Sequence, residues 1–429
     1  VALVAVRAVE VTAKDNRKIT VHRGGVRSPF PFSANRARRT MRILWNSVPS
    51  RFPTGYGNQT RLFTKALKDA GHDVVISSVV TSMPTYRDMN GIDTLSNGPR
   101  SNYGNDWIAE HIKHYEPDVV ISMTDTFMYD CEKWAKVPWA AWQVVDSAPL
   151  VKELRNPCET AKINIAMSRF GQRTMADAGF ESTYVPLCFD PSEYNPFLSR
   201  KDAREGLLEA FGVDWRDKFV VIMNSANMSK PARKNFGAAF KAFSILREKR
   251  KDAVLFCHSE ATGQMSTGED LREIAKLYGL DEGCLAFPPS YDYNMGLLSP
   301  SYLRMMYSCG NVFLHTAMGE GFGLPLIEAQ ACGLYVICPD ATSMPELIHH
   351  GKILPKDMGV SFMYHPSTEQ FLLDGDKLGE ALLSIYKANP ERRAVPEVEI
   401  YTVDNVCKDH FLPFLESIDC AKLSGNMEK

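Results

Sequence analysis

The sequence predicts an α/β fold of two Rossmann-like, doubly wound domains facing each other across a cleft. Three observations predict it. From residue 41 onward, short runs rich in Val, Ile and Leu alternate with amphipathic stretches. Those runs lack polar alternation, which marks strands buried on both faces of a parallel sheet covered by helices. The alternation pauses at about 186–216 and then restarts, so two βα arrays are joined by a linker.

The bulk properties agree. A chain of 429 residues, 45% hydrophobic and 23% charged, exceeds what one core usually organises. With 49 basic against 51 acidic side chains the formal net charge is -2. That balance lacks the basic footprint of a nucleic-acid binder and weighs against a nucleic-acid acceptor. Ten cysteines stand singly, without a CxxC pair or metal-like spacing, and read as reduced, mostly buried thiols of a cytoplasmic protein. No apolar run approaches the roughly 20 residues of a membrane-spanning helix. Peripheral membrane contact, which needs only a surface patch, is compatible with this.

Along the chain, residues 1–40 come first. They carry Arg7, Lys14, Arg17, Lys18, Arg23, Arg27, Arg36, Arg38 and Arg39 against Glu10 and Asp15, with no sustained helical period. They read as a leader or disordered extension; a transit peptide would also be basic, but its amphipathic Arg-apolar helix is not evident. The first domain, 41–200, is expected to hold strands at 41–48, 73–80, 117–123, 139–145 and 162–168. A helix in NQTRLFTKALKDAGH stops at Gly71, and Gly179 and Gly333 take the same place after their own helices. PLCFDPSEYNPFLSR is rich in proline and turn residues and carries the linker. The second domain, 201–400, is expected to hold strands at 217–226, 253–260, 284–289, 311–317 and 334–340. The tail 401–429 begins with apolar spacing suited to a helix docked back on the first domain. No solenoid repeat or low-complexity tract interrupts the pattern.

The strongest local signal is GEGFGLPLIEAQACG (319–333), between a strand and a helix. Gly321 and Gly323 permit a tight turn and a close backbone approach to a ligand. Pro325 fits the first helical turn, where its missing N–H costs nothing. The amides and dipole of that helix end favour an anion such as a diphosphate, by roughly 0.3–2 kcal/mol. Glu328, one turn in, is placed to reach a ribose diol; Glu320, before the turn, is placed to accept from sugar hydroxyls. Phe322 and Leu324 belong to the same turn. Two carboxylates flanking a phosphate cradle point to a nucleotide-sugar site.

This segment resembles the Glu-x7-Glu signature of retaining glycosyltransferases of the GT-B fold, in the large family four, also called glycosyl transferases group 1. The resemblance runs from 41 to about 420. GHDV (71–74) resembles the family's helix-to-strand junction, YVPLCFDPSEYNP (184–196) its interdomain segment, and HSEATGQMSTGEDLREIAKLYGL (258–280) a stretch of its second domain. It implies an acceptor domain at 41–200 and a donor domain at 201–400. It also implies that the loop NSANMSKPARKNFGAAFKAF (224–243) supplies a lysine to the leaving diphosphate. Lys234 matches that lysine. The second cation is Arg233 or Lys230, neither of which sits where the commonest pattern places the arginine. Asn227 lies in the same loop and is assigned to the donor.

In the first domain, Gly55 and Gly57 resemble the family's first glycine loop, although two glycines in a βα loop also suit an ordinary turn. By resemblance the position near Asp146 faces the reacting sugar; a helix N-cap is the competing reading. Asp125 stands in a similar place after its strand. Trp142, Gln143 and Tyr129 are candidates for the acceptor side, with core packing the expected role of Trp142. Asp374-Gly375-Asp376 lies between two late helical stretches and reads as a polar turn with an N-cap, not a metal-nucleotide motif. His72, His111 and His114 lack ligand spacing, so no metal and no cofactor are expected. The resemblance implies hexosyl transfer from a nucleotide-diphosphate sugar to a glycan, lipid-linked or other hydroxyl acceptor, with retention and without metal. The alternatives are a nucleotide-sugar epimerase and an inactive nucleotide-sugar-binding protein.

Overall fold

A computed structural model describes residues 40–80, 83–98, 103–263, 267–365 and 368–419. The basic segment 1–39, Cys420 and residues 264–266 of the second-domain stretch lie outside the described residues.

The first βα array runs through Arg42–Ser47 (β1), Gly55–Asp69 (α1), Asp73–Ser78 (β2), Tyr86–Arg87 (β3), Asp93–Leu95 (β4) and Ile108–Tyr115 (α2). Val119–Met123 (β5), Cys131–Trp134 (α3), Trp139–Gln143 (β6), Lys152–Thr160 (α4), Ile163–Ala166 (β7), Arg169–Asp177 (α5) and Thr183–Tyr184 (β8) complete it. The sheet order is β3-β4-β2-β1-β5-β6-β7-β8, parallel except for the β3–β4 pair. All five residues of β5 and of β6 are buried, as unbroken apolar runs require. Helix α1 starts where the Thr54 side chain accepts from the Gly57 amide, and its chain turns at Gly71 with φ 92°. Gly179 and Gly333 also have positive φ, at 92° and 82°.

Arg200–Phe211 (α6) opens the second array. Phe219–Asn224 (β9), Phe236–Lys249 (α7), Ala253–His258 (β10), Leu271–Leu277 (α8), Leu285–Ala286 (β11), Ser290–Asn294 (α9) and Pro300–Cys309 (α10) follow. Val312–Leu314 (β12), Leu324–Ala331 (α11), Tyr335–Pro339 (β13) and Gly351–Leu354 (β14) close a parallel sheet of order β11-β10-β9-β12-β13-β14. Phe236, Phe240 and Phe243 line the buried face of α7 and pack with Val221 and Leu255 of the sheet.

Three expectations need correction. Every expected strand except 117–123 ends earlier than its apolar run, at Ser47, Ser78, Gln143, Ala166, Asn224, His258, Ala286, Leu314 and Pro339. Asp374 does not lie between two helices. It follows an antiparallel hairpin, Gly359–His365 (β15) with Thr368–Leu373 (β16), and caps Gly375–Ala388 (α12) by accepting from the amides of Asp376 and Lys377. The expected tail helix runs unbroken over 403–417 but is not α-helical throughout: Val403–Val406 (α13) and Leu412–Ser417 (α14) flank a π-helical turn at Cys407–Phe411. Pro413 has no N–H for the carbonyl one turn back, and the ladder widens there. Phe411 in that turn is fully buried against Phe63 (ring centroids 5.1 Å), Trp142 (5.4 Å) and Trp45 (6.1 Å). Among the described residues no helix is long and apolar enough to cross a membrane. The nine described cysteines are free, and eight of them are buried.

Candidate active site

The glycine turn leaves the carboxyl end of β12, where ligands gather in open parallel sheets. Its glycines are required by close approach to the first array. A Cβ on Gly319 would clash with the Asp146 carbonyl oxygen, and one on Gly321 would stand 2.8 Å from Val144 Cγ1. Gly323, with φ 112°, is the N-cap of α11, and Pro325 sits in the first helical turn. The turn is pinned from below: the Glu320 amide donates to Thr342 Oγ1 at 2.8 Å, while Ser343 Oγ donates to the carbonyls of Glu320 and Phe322. Hairpin β15–β16 reaches both sides of it: the Phe371 amide donates to the Met318 carbonyl just before the turn (3.4 Å), and the Glu369 amide to the Ala148 carbonyl of the first array (3.0 Å).

Glu320 is the centre of a charged network. Its Oε1 accepts from Lys234 Nζ and lies 2.8 Å from His315 Nε2; its Oε2 lies 3.7 Å from Arg233 Nη1. Arg233 also donates to the Gly319 carbonyl and stands 3.5 Å from Asp146 Oδ2 of the first array. The 230s loop is held in place by Thr316 Oγ1 donating to the Lys234 carbonyl at 2.8 Å and by Met318 N donating to the Arg233 carbonyl at 2.9 Å. Burial alone would raise the Glu320 carboxyl, but Lys234, the His315 hydrogen bond and Arg233 outweigh it and hold it well below the usual carboxylate range. Burial pulls the Lys234 ammonium down, with its Glu320 partner opposing. Arg233 goes up because Glu320, Asp146 and Asp125 together overcome its burial.

The other sequence candidates divide into two groups. Glu328 is buried in α11 and accepts from Tyr307 Oη at 3.0 Å, and Tyr307 in turn accepts from Asn224 Nδ2 at 2.8 Å. Its carboxyl is pushed up to about 7 by burial, against the Tyr307 hydrogen bond. Gly55 starts α1 with its Cα facing Leu324, whose Cδ1 would lie 3.7 Å from an added Cβ. Gly57 sits against the Phe52 carbonyl, where any side chain would clash, so it serves the turn itself. Asp146 caps no helix: the N-cap of α4 is Val151, and the Asp146 carboxylate faces Arg233 instead. Asp125 accepts from Tyr56 Oη at 2.8 Å; burial raises its carboxyl, and it borders the same network.

Others are kept out. Asn227 donates to the carbonyls of Glu260 and Glu269 and accepts from the Glu269 amide, so its amide braces the loop rather than facing a donor. Lys230 is exposed, and Arg233 is the cation beside Glu320. Trp142, Gln143 and Tyr129 are buried, with their polar atoms spent on Val185 O, Asn164 Oδ1 and Asn46 Oδ1. His72 Nδ1 accepts from the Met41 amide and His111 pairs with Ser77 Oγ. Among the described residues no group of three or more His, Cys, Asp or Glu has metal-holding geometry.

Sequence reading missed His315, Tyr307 and Tyr56. The signal for His315 was present: a histidine just past the carboxyl end of a strand, five residues before the glutamate of the glycine turn.

Comparison with known proteins places this site in context. Residues 220–372, which span β9 to β16 and include Lys234, Glu320 and Glu328, match the family described as "Glycosyl transferases group 1". A serotype-specific mannosyltransferase, WbdA of Escherichia coli, is 30% identical over 134 residues, 31% of this chain and 15% of that protein. The chain spans about one seventh of the length of the curated relatives it matches, 14% and 15% for the first two. Among solved structures, the sucrose-phosphate synthase of Thermosynechococcus elongatus superimposes with a TM-score of 0.67 at 16% identity, over 88% of this chain and 98% of that one. Anabaena HepE, solved with UDP and glucose, gives 0.60 at 15% identity, over 90% and 98%.

Proposed function

We propose that the protein, whose residues 220–372 match the glycosyl transferases group 1 family and whose described chain has the GT-B fold, transfers a hexose from a nucleoside-diphosphate sugar to an acceptor hydroxyl. The observation that carries this reading is the Glu320 carboxylate held between Lys234, Arg233 and His315 at the mouth of a glycine turn, directly opposite Asp146.

In this reading the second array binds the donor and the first receives the acceptor. The sugar–phosphate bond breaks and charge develops on the departing diphosphate. Lys234, Arg233 and the amino end of α11 are fixed donors aimed at that charge, so no metal is required to carry it. Glu320 accepts from hydroxyls of the transferred sugar, and Glu328 accepts from the ribose. The leaving phosphate takes the proton of the attacking hydroxyl on the same face of the sugar, which gives retention. Asp146 borders the reacting centre from the first array. Closure of the two arrays excludes water and limits donor hydrolysis. The bound UDP and glucose of HepE support a nucleotide-sugar donor, and the mannosyltransferase relatives support a glycan acceptor. Free, buried cysteines support a reducing, cytoplasmic setting.

The test is a donor screen that follows nucleoside-diphosphate release from UDP-, GDP- and ADP-sugars, with and without EDTA. Release from one donor, insensitive to EDTA and lost in Glu328→Ala, is the expected result. Silence with every donor, together with no thermal stabilisation by any of them, would overturn the proposal.

A further inference from the structure

We infer that His315 is a positioning residue for this reaction: its imidazole N–H holds the Glu320 carboxylate in its working orientation between Lys234 and Arg233. The inference rests on the sugar transfer at Glu320 proposed above.

The geometry is closed on every side. His315 follows β12, is 1% exposed, and its own amide donates to the Ile337 carbonyl at 2.8 Å. Its ring stacks on Phe313 with centroids 6.1 Å apart and planes 23° apart. The ring is therefore held by packing, and Nε2 meets Glu320 Oε1 at 2.8 Å. An ionised carboxylate only accepts, so Nε2 carries the proton. Nδ1 is buried and has no hydrogen-bond partner among the described residues. A second ring proton there would be a buried donor without an acceptor, which costs about 1–3 kcal/mol. Burial pulls the imidazole down from its ordinary value, and Lys234 and Arg233 add to that against Glu320. The ring is neutral, with its proton on Nε2.

That neutrality gives histidine its use here. Oε1 already accepts from Lys234, and Oε2 faces Arg233. Without the imidazole, Oε1 keeps Lys234 but loses its second, rigidly packed donor, and the carboxylate gains freedom to turn about its own bond. A third cation in place of His315 would anchor the carboxylate but draw its negative charge away from the sugar hydroxyls. A neutral N–H does neither. It fixes one oxygen and leaves the ionic balance unchanged.

The experiment compares His315→Gln and His315→Leu with the wild type, measuring kcat and, separately, donor dissociation by calorimetry. With the donor identified by the screen, His315→Leu should lower kcat roughly 10- to 100-fold, the scale of a 1 Å misplacement, while donor affinity changes less than about threefold. His315→Gln, which retains a neutral N–H, should recover part of the loss. Nitrogen-15 NMR of the histidine rings supplies a readout independent of turnover. The resonance lost in His315→Gln should show the neutral Nε2–H form from pH 6 to 8, and should shift in Glu320→Gln. Unchanged kcat in His315→Leu, or the Nδ1–H form in the spectrum, would overturn the inference. Absence of transfer in the wild type would remove the reaction, while the spectrum would still decide whether His315 donates to Glu320.

Discussion

Glu320 and Glu328, eight positions apart in one turn and helix, occupy opposite electrostatic surroundings. Glu320 is buried among cations and stays ionised, whereas Glu328 is buried with only a phenol and a nearby carboxylate, and its carboxyl is pushed up to about 7. A folded-state value above the ordinary 4.5 means that the folded protein favours the protonated form. The associated stability is present below about pH 4.5 and is lost as pH rises through about 7. Glu328→Gln removes that loss while keeping the shape. The wild type should therefore lose stability relative to Glu328→Gln between pH 5 and 8, by up to about 3 kcal/mol, read from denaturant unfolding at each pH. A gap that stays constant with pH would refute the buried, titrating glutamate. The variant should bind donor more weakly despite being more stable, because an amide is a poorer acceptor for a ribose diol. Both glutamates were legible in the sequence through the glycines and proline around them. Tyr307 and Asn224 were not, because they sit on a different helix and strand and meet Glu328 only in space.

At the scale of elements, the long central strands and their capping glycines were legible, because an unbroken apolar run has one stable setting in a doubly covered sheet. The short strands Tyr86–Arg87, Asp93–Leu95 and Thr183–Tyr184 were not, since two or three residues carry no periodicity. Hairpin β15–β16 escaped for a related reason: Val360 and Met363 are exposed, so its pattern does not mark a buried strand. The tail helix was legible as apolar and helical but its π turn was not, because that turn depends on Pro413 and on the pocket that receives Phe411. That pocket is built by three elements: Trp45 from β1, Phe63 from α1 and Trp142 from β6. Phe411→Ala should cost about 3–5 kcal/mol of stability, measured by chemical denaturation. A loss under about 1 kcal/mol would mean that the C-terminal segment is not part of the first array's core.

At the scale of the molecule, the two arrays share apolar packing and polar contacts, and one polar contact lies away from the reacting centre. Glu346, in the short turn after β13, reaches the amino end of α5 in the first array. Its Oε1 accepts from the Arg169 amide at 2.9 Å, and the Phe170 amide adds to the hold on the carboxylate. The helix's own cap, Ser168, serves the Gly171 amide at 3.0 Å, so Glu346 satisfies donors that the first array leaves open. Around this contact Arg169 lies over the Tyr184 ring at 3.7 Å, and Tyr401 and His410 of the C-terminal segment complete the lining of a shared cavity. A carboxylate at a helix amino end is worth roughly 0.5–2 kcal/mol, enough to shift a closing equilibrium several-fold without touching the chemistry. Glu346→Ala should therefore leave the reacting groups intact and loosen closure, raising the share of donor lost to water relative to donor transferred. Glu346→Gln keeps an acceptor oxygen and should fall between the two. The partition is read by comparing free sugar with glycosylated product in one reaction. An Ala variant that partitions like the wild type would show that the remaining contacts between the arrays hold closure without Glu346.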